Sequence, residues 1–267
     1  VSVTSEIRFD DGAAYERYMG KWSQIAGATF LEWLRPAPRL RWLDVGCGNG
    51  AFTELVVQRC APARMDGIDP SDAQLTHARS RPGFEGAQFQ QGNAMALPYE
   101  DDTFDVAVMP LVIFFVPDPA RGVAEMSRVV CARGLVTAYA WDMDNGGFPY
   151  ELLKVEMREL GAAVPEPPSP DASGMDIMTG LWTSAGLTDI ETRTIAVQRT
   201  FDDFDDYWAT VFGGPSVGPQ LRAMAPEALA TLKARMRANL TADATGRITC
   251  GASANAIRGR VAIRTRG

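Results

Sequence analysis

Between residues 41 and 141 this chain passes strictly from apolar runs to helical periodicities and back. The first of those passages, behind residues 41–45, holds three glycines, Gly46, Gly48 and Gly50. That alternation constrains the fold more than any other feature. Strands that alternate with helices lie side by side in a mostly parallel sheet, covered by helices on both faces. The spacing predicts strands over 41–45, 65–69, 86–91, 104–114 and 135–141. It predicts a helix over 51–60, a second one capped by Ser71 with Gln74 completing the box, and a third opened by Asp118 and Pro119.

The pattern changes after residue 142. Asn145-Gly146-Gly147, a helical stretch over 149–160 and the proline-rich 165–170 read as an inserted cap. A helix over 177–185 stops at Gly186, and 189–197 alternates as a sixth strand. A helix over 203–212 gathers Phe204, Tyr207, Trp208, Val211 and Phe212 on one face. A Gly/Pro linker at 213–219, a helix over 225–240 and a last strand within 254–263 follow. At the front, 13–34 reads as one or two helices, with Tyr15, Tyr18, Met19, Trp22, Ile25 and Ala26 at helical spacing. The expected organisation is a single domain, 1–267. Its parts are an N-terminal helical segment (1–37), a core (38–142), cap insertions (143–175 and 202–246) and the rest of the core (176–201 and 247–267).

Charge and cysteine usage narrow the function classes. The 33 acids exceed the 26 Lys and Arg, for a net charge of −7. That balance supplies no broad attraction to nucleic acid. The longest apolar stretch, 106–117, is too short to span a bilayer, so no membrane insertion is expected. Glu6, Asp10 and Asp11 precede any apolar run, unlike a signal peptide. Four scattered cysteines without C-x-x-C spacing and a lone histidine, His77, speak against a metal site and for a cytoplasmic setting. Monomer and homodimer both stay open.

The glycine turn carries the chemistry. Glycine there permits positive φ and removes Cβ where a ligand must approach. Asp69 stands 21 residues past Gly48, at the tip of the second strand, where a carboxylate can accept both hydroxyls of a ribose. The spacing G-x-G-x-G departs from the dinucleotide fingerprint G-x-G-x-x-G, and no G-K-[ST] follows.

Residues 43–50, Leu-Asp-Val-Gly-Cys-Gly-Asn-Gly, resemble motif I of the class I S-adenosylmethionine-dependent methyltransferases. Residues 98–130 strengthen the likeness with Pro-Tyr-Glu-Asp-Asp-Thr-Phe-Asp-Val-Ala-Val, Val-Pro-Asp-Pro and Glu-Met-Ser-Arg-Val. They are similar to the type 11 subset, which includes quinone-biosynthesis C-methyltransferases. The resemblance covers 38–142 firmly. It implies an α/β, Rossmann-like fold of seven mostly parallel strands with helices on both faces and helical cap insertions after strands 5 and 6. It implies S-adenosyl-L-methionine as cofactor and S-adenosyl-L-homocysteine as product.

Residue by residue, the resemblance implies that Gly46, Cys47 and Gly48 wrap the methionine end, which Asp44 helps to orient. Asp69 and Pro70 would meet the ribose. Asn93 stands where the family usually has an acid facing adenine N6, Ala94 follows it in the cofactor-binding loop, and Met95 and Leu97 would sandwich the ring. The far end of the fourth strand, Met109 to Phe115, would point at the sulfonium, and Tyr15 would reach the site from the first helix. Tyr18, Trp22, Phe114, Phe115, Tyr207 and Trp208 are the expected acceptor-binding residues, although an aromatic stripe also serves a core.

The implied reaction is methyl transfer to a small, apolar or aromatic molecule by in-line displacement, mainly through positioning. No general base is assigned. His77 lies mid-helix, and the acid pairs 101–102, 202–203 and 205–206 read as caps and solvated faces. Met109-Pro110-Leu111-Val112 lacks the aromatic-proline tetrapeptide of base N-methylases, which disfavours nucleic acid. A protein acceptor is a weaker reading. Two alternatives stand beside these: a non-enzymatic cofactor-binding or scaffold protein of the same fold, and a nicotinamide-dependent oxidoreductase.

Overall fold

The structure is a computed structural model and describes residues 16–81, 86–214 and 217–263. The alternation read above becomes β1 (Arg41–Val45), α1 before it (Lys21–Leu34), α2 (Ala51–Cys60), β2 (Arg64–Asp69), α3 (Asp72–Ser80), β3 (Ala87–Gln91), β4 (Phe104–Pro110), α4 (Pro119–Val129) and β5 (Val130–Trp141). Then come α5 (Glu151–Glu159), α6 (Met175–Ser184), β6 (Leu187–Phe201), α7 (Phe204–Phe212), α8 (Gly218–Ala223), α9 (Pro226–Asn239) and β7 (Ile248–Val261). One sheet runs β3-β2-β1-β4-β5-β7-β6. Its first five strands are parallel, and β7 lies antiparallel to both β5 and β6.

Local chemistry explains the boundaries. Ser71 caps α3 by accepting the Gln74 N–H at 3.4 Å, and Asp118 caps α4 by accepting that of Arg121 at 3.1 Å. The fourth strand stops at Pro110, four residues short of the expected 114. Leu111 then takes φ +61, and residues Ile113–Phe115 coil into a 3₁₀ turn. The outer strands run longer than expected, β6 to Phe201 and β7 from Ile248. The polar residues Gln198, Arg199 and Thr200 hid the continuation of β6. Along β6, burial nonetheless alternates through Ile195, Val197, Arg199 and Phe201. The linker read at 213–219 includes the start of α8.

Arg199 is buried because its charge is met from two sides. Its Nη1 donates to the carbonyls of Arg17 and Tyr18 at 2.9 and 3.2 Å and to the Tyr150 hydroxyl at 3.3 Å. The Tyr150 hydroxyl also accepts from Trp22 Nε1 at 3.1 Å and donates to the Tyr18 carbonyl at 2.7 Å. The Tyr18 and Tyr150 rings stack at 4.5 Å, and Trp22 meets both Trp141 and Tyr150 edge-on. This node fastens α1 across the sheet, over the end where β1 opens into α2. Among the described residues no helix is long and apolar enough to cross a membrane, and no cluster of three metal-ligating side chains occurs.

The strand order reverses at β1, which lies between β2 and β4. In open parallel sheets the crevice outside the carboxyl ends of the strands at such a reversal is where ligands bind.

Candidate functional site

The crevice is built from the glycine turn outward. Gly46, Gly48 and Gly50 take φ of +78, +51 and +81. At Gly46 a Cβ would lie 2.5 Å from both γ carbons of Val112, so the turn packs directly on the loop after β4. At Gly48 nothing stands within 4 Å of where a Cβ would project. That open space is the cleft itself. The turn is held to β2 by the N–H groups of Gly46 and Cys47, which donate to the Ile68 carbonyl at 2.7 and 3.1 Å.

Two carboxylates stand behind and beside the turn. Asp44 is fully buried at the end of β1. One of its oxygens accepts from Thr53 Oγ1 at 2.6 Å, and the other, Oδ1, is buried with no partner among the described residues. Burial pushes the Asp44 carboxyl up to about 7; the Thr53 hydrogen bond opposes that shift and the nearby charge of Asp69 adds to it. Asp69 accepts the Gly48 N–H at 2.9 Å and the Ser71 N–H at 2.8 Å. Burial raises its pKa, and those two donors hold it down in part.

A cleft of about 800 Å³ opens above this turn. It brings together Gly46, Cys47, Gly48, Asp69, Pro70, Asn93, Ala94, Met95 and Phe115 of the residues named from sequence. The Cys47 thiol is pushed well up, first by burial and then by the Asp44 and Asp69 charges, so it is no nucleophile at neutral pH. Asn93 closes its own turn by accepting the Met95 N–H at 2.9 Å.

Other expected residues stand elsewhere. Asp44 and Met109 are buried beneath the cleft and do not line it. Tyr18, Trp22 and Tyr207 belong to the aromatic core: the Trp22 N–H and the Tyr18 carbonyl are spent on Tyr150, and Tyr207 packs on Phe201 at 5.2 Å. Trp208 stacks on Phe204 at 6.1 Å, and Phe114 turns inward against Phe115 at 4.7 Å. The expectation that these five side chains line the acceptor's pocket is corrected on that ground. In each case the apolar face found a sheet or a second ring to cover. Tyr15 lies outside the described residues.

Their place is taken by residues that the sequence reading did not name as acceptor-binding. Leu111, Val112, Val116 and Pro117 wall the far end with Phe115, and Tyr139 of β5 and Ser23 of α1 reach it from the sheet and from above. Residues Glu166, Pro167 and Pro168 arch over it. Ser169 pins that arch by donating its N–H to the Phe114 carbonyl at 3.0 Å and its hydroxyl to the Val116 carbonyl at 2.8 Å. The irregular proline-rich stretch was visible in the sequence, but its destination was not.

Arg81, just past α3, joins three parts of the rim. It pairs with Glu16 at 3.1 Å and Glu54 at 2.6 Å and donates to the Asn49 carbonyl at 3.4 Å. Asn49 Nδ2 in turn donates to Glu16 at 2.8 Å. The Arg81 side chain is only 15% exposed, so these pairs are less screened than surface ones. Arg81→Ala is expected to loosen the glycine turn and weaken ligand binding in the cleft by about 1–2 kcal/mol, roughly tenfold. Calorimetric titration with S-adenosyl-L-homocysteine checks this; an unchanged affinity would refute it.

Comparison with known proteins adds the following. Residues 43–138 match a family described as a methyltransferase domain. A 2-methyl-6-phytyl-1,4-hydroquinone methyltransferase of Oryza sativa subsp. japonica is 38% identical over 97 residues, which make up 36% of this chain and 28% of that protein. The chain thus spans little more than a quarter of that relative. An uncharacterised protein of Mycobacterium tuberculosis is 27% identical over 190 residues, 68% of this chain and 69% of its own. The structure of a Haemonchus contortus phosphoethanolamine N-methyltransferase in complex with S-adenosyl-L-methionine superposes with a TM-score of 0.58. It is 16% identical, covers 94% of this chain and 56% of that one, and shares the fold.

Proposed function

We propose that this chain, whose residues 43–138 match a family described as a methyltransferase domain, transfers a methyl group from S-adenosyl-L-methionine to a small apolar or aromatic molecule. The cofactor, S-adenosyl-L-methionine, supplies an electrophilic methyl group on a sulfonium. The residues present suit it. The space over Gly48 admits a backbone-close ligand, Asp69 offers a ribose-binding carboxylate, and the unpartnered Asp44 Oδ1 lies behind the turn that would receive the amino-acid end.

The observation that carries the acceptor class is the far wall of the cleft. Leu111, Val112, Phe115, Val116, Pro117, Pro167 and Pro168 are apolar. Among the described residues lining the cleft, Asp69 and Glu166 carry the only charges, and Glu166 is paired with Arg158 at 2.8 Å. Among the described residues no histidine, lysine or arginine lines the cleft to hold an anionic acceptor or to take up a proton. His77 lies on α3, away from the lining.

The chain's contribution is therefore positional. The apolar wall excludes water and orients the acceptor, and the turn fixes the cofactor end, so that nucleophile and methyl meet in line. Two measurements test the reading. Calorimetry with S-adenosyl-L-homocysteine beside NADH is expected to give one saturable site for the first alone. Labelled-methyl transfer to a panel of small phenols, quinols and apolar amines, set against peptides, is expected to favour the small molecules. Cofactor binding with label entering peptides, or entering nothing, would overturn the acceptor class. Binding of NADH alone would overturn the reaction class.

A further inference from the structure

A second concavity, of about 320 Å³, opens at the opposite end of the central strands from the cleft. It lies between the end of α1, the starts of β4 and β5, and the end of β7. Four arginines line it: Arg35, Arg133, Arg258 and Arg260. Their convergence follows from the backbone. Arg258 and Arg260 sit two apart on β7 and so share a face. Gly259 between them faces the other way, where a Cβ would lie 2.8 Å from the Trp182 ring. Arg35 ends α1 at φ +46, and Arg133 stands at φ +65 in the irregular first part of β5, beside Arg260. Arg260 Nη1 donates to the Arg133 carbonyl at 2.9 Å.

The charge of this group is largely unanswered. Arg258 lies over the Trp33 ring at 5.0 Å and pairs with Glu191 at 2.7 Å. Arg35 reaches the Glu32 carbonyl at 3.4 Å. Among the described residues no carboxylate pairs with Arg35, Arg133 or Arg260. Asp105 is the acid in the lining, and Arg41 claims it with both a guanidinium fork at 2.8 and 3.0 Å and its backbone N–H at 2.8 Å. A chain of net charge −7 thus gathers three unpaired guanidiniums and a fourth half-satisfied one around a hollow. Like charges brought together repel unless an anion joins them.

We infer that this concavity binds a phosphate-bearing small molecule, at a site separate from the cofactor cleft. Guanidinium forks match phosphate oxygens two at a time. The volume admits a diphosphate or a small phosphate ester. The site shares no lining residue with the cleft.

The test is calorimetric titration of the full chain with inorganic pyrophosphate at low salt, in the presence and absence of S-adenosyl-L-homocysteine. One saturable site per chain, unaffected by the nucleoside, is the expected result. Arg133→Gln with Arg260→Gln is expected to weaken it at least tenfold. Arg222→Gln, on α8 and remote from the hollow, is expected to leave it unchanged. Should the double variant fold poorly, Arg133→Gln alone carries the test, since that side chain is exposed. Non-saturable binding, equal affinity in the arginine variants, or competition by the nucleoside would overturn the assignment. Co-sedimentation with phosphatidic-acid vesicles, displaced by pyrophosphate, would place the phosphate on a lipid headgroup; no co-sedimentation would place it on a soluble ester.

Discussion

Asp69→Ala is expected to lower affinity for S-adenosyl-L-homocysteine by about 2–5 kcal/mol, roughly 30- to 4,000-fold. Two losses combine. The carboxylate that would accept ribose hydroxyls is gone, and so are the acceptors for the Gly48 and Ser71 N–H groups at 2.9 and 2.8 Å. The second loss frees the turn that a ligand must meet in a fixed shape. Asp69→Asn separates them: it keeps one oxygen for a backbone donor and discards the charge, so its affinity is expected to fall between wild type and Ala. Calorimetry on all three proteins decides the matter. An affinity for the Ala variant within threefold of wild type would remove Asp69 from the site.

The second large effect is a pH dependence of stability centred on Asp44. Its folded pKa, about 7, stands above the ordinary carboxylate value of 3.8. Between those two values the folded chain holds a proton that the unfolded chain has released. Stability contributed by this group is therefore greatest in acid and declines as pH rises through that window, levelling off above 7. At roughly 1.4 kcal/mol per pH unit, wild type should lose about 2 kcal/mol between pH 5 and 7 relative to Asp44→Asn. The amide can keep the Thr53 hydrogen bond without ever ionising. Urea denaturation of both ligand-free proteins across that range measures the difference. Parallel curves would mean that Asp44 titrates near its ordinary value and that the pocket beneath the turn is wetter than its burial implies.

Much of the glycine-turn side of the cleft was legible in the sequence because each feature there depends on local chain chemistry. A glycine at positive φ, an acid at a strand tip and a Ser–Gln cap announce themselves within a few residues. The far wall was not legible in the same way. Its wall is assembled from 111–117, 139 and 166–168, and nothing local says that Ser169 will bond to the carbonyls of residues 114 and 116. Aromatic stripes misled for a physical reason. Tyr18 and Trp22 have the spacing of a helix that covers something, but spacing does not distinguish a ligand from Tyr150. The fourth strand was overextended because hydropathy continues past Pro110, whereas a proline and a residue at φ +61 end the strand.

The node of Tyr18, Trp22, Tyr150 and Arg199 sets an order of events in biosynthesis. The bond from Arg199 to the Tyr18 carbonyl spans 181 residues, and that from Trp22 to Tyr150 spans 128. At about 5–20 residues per second, the carbonyl of Tyr18 waits on the order of ten seconds or more before its cationic partner has been synthesised. Until then the segment that brings Ser23 to the cleft has no anchor at Arg199. The nascent chain can thus assemble strands β1 through β5 before α1 is fully fastened, and the cleft acquires its upper edge only once residue 199 has been synthesised.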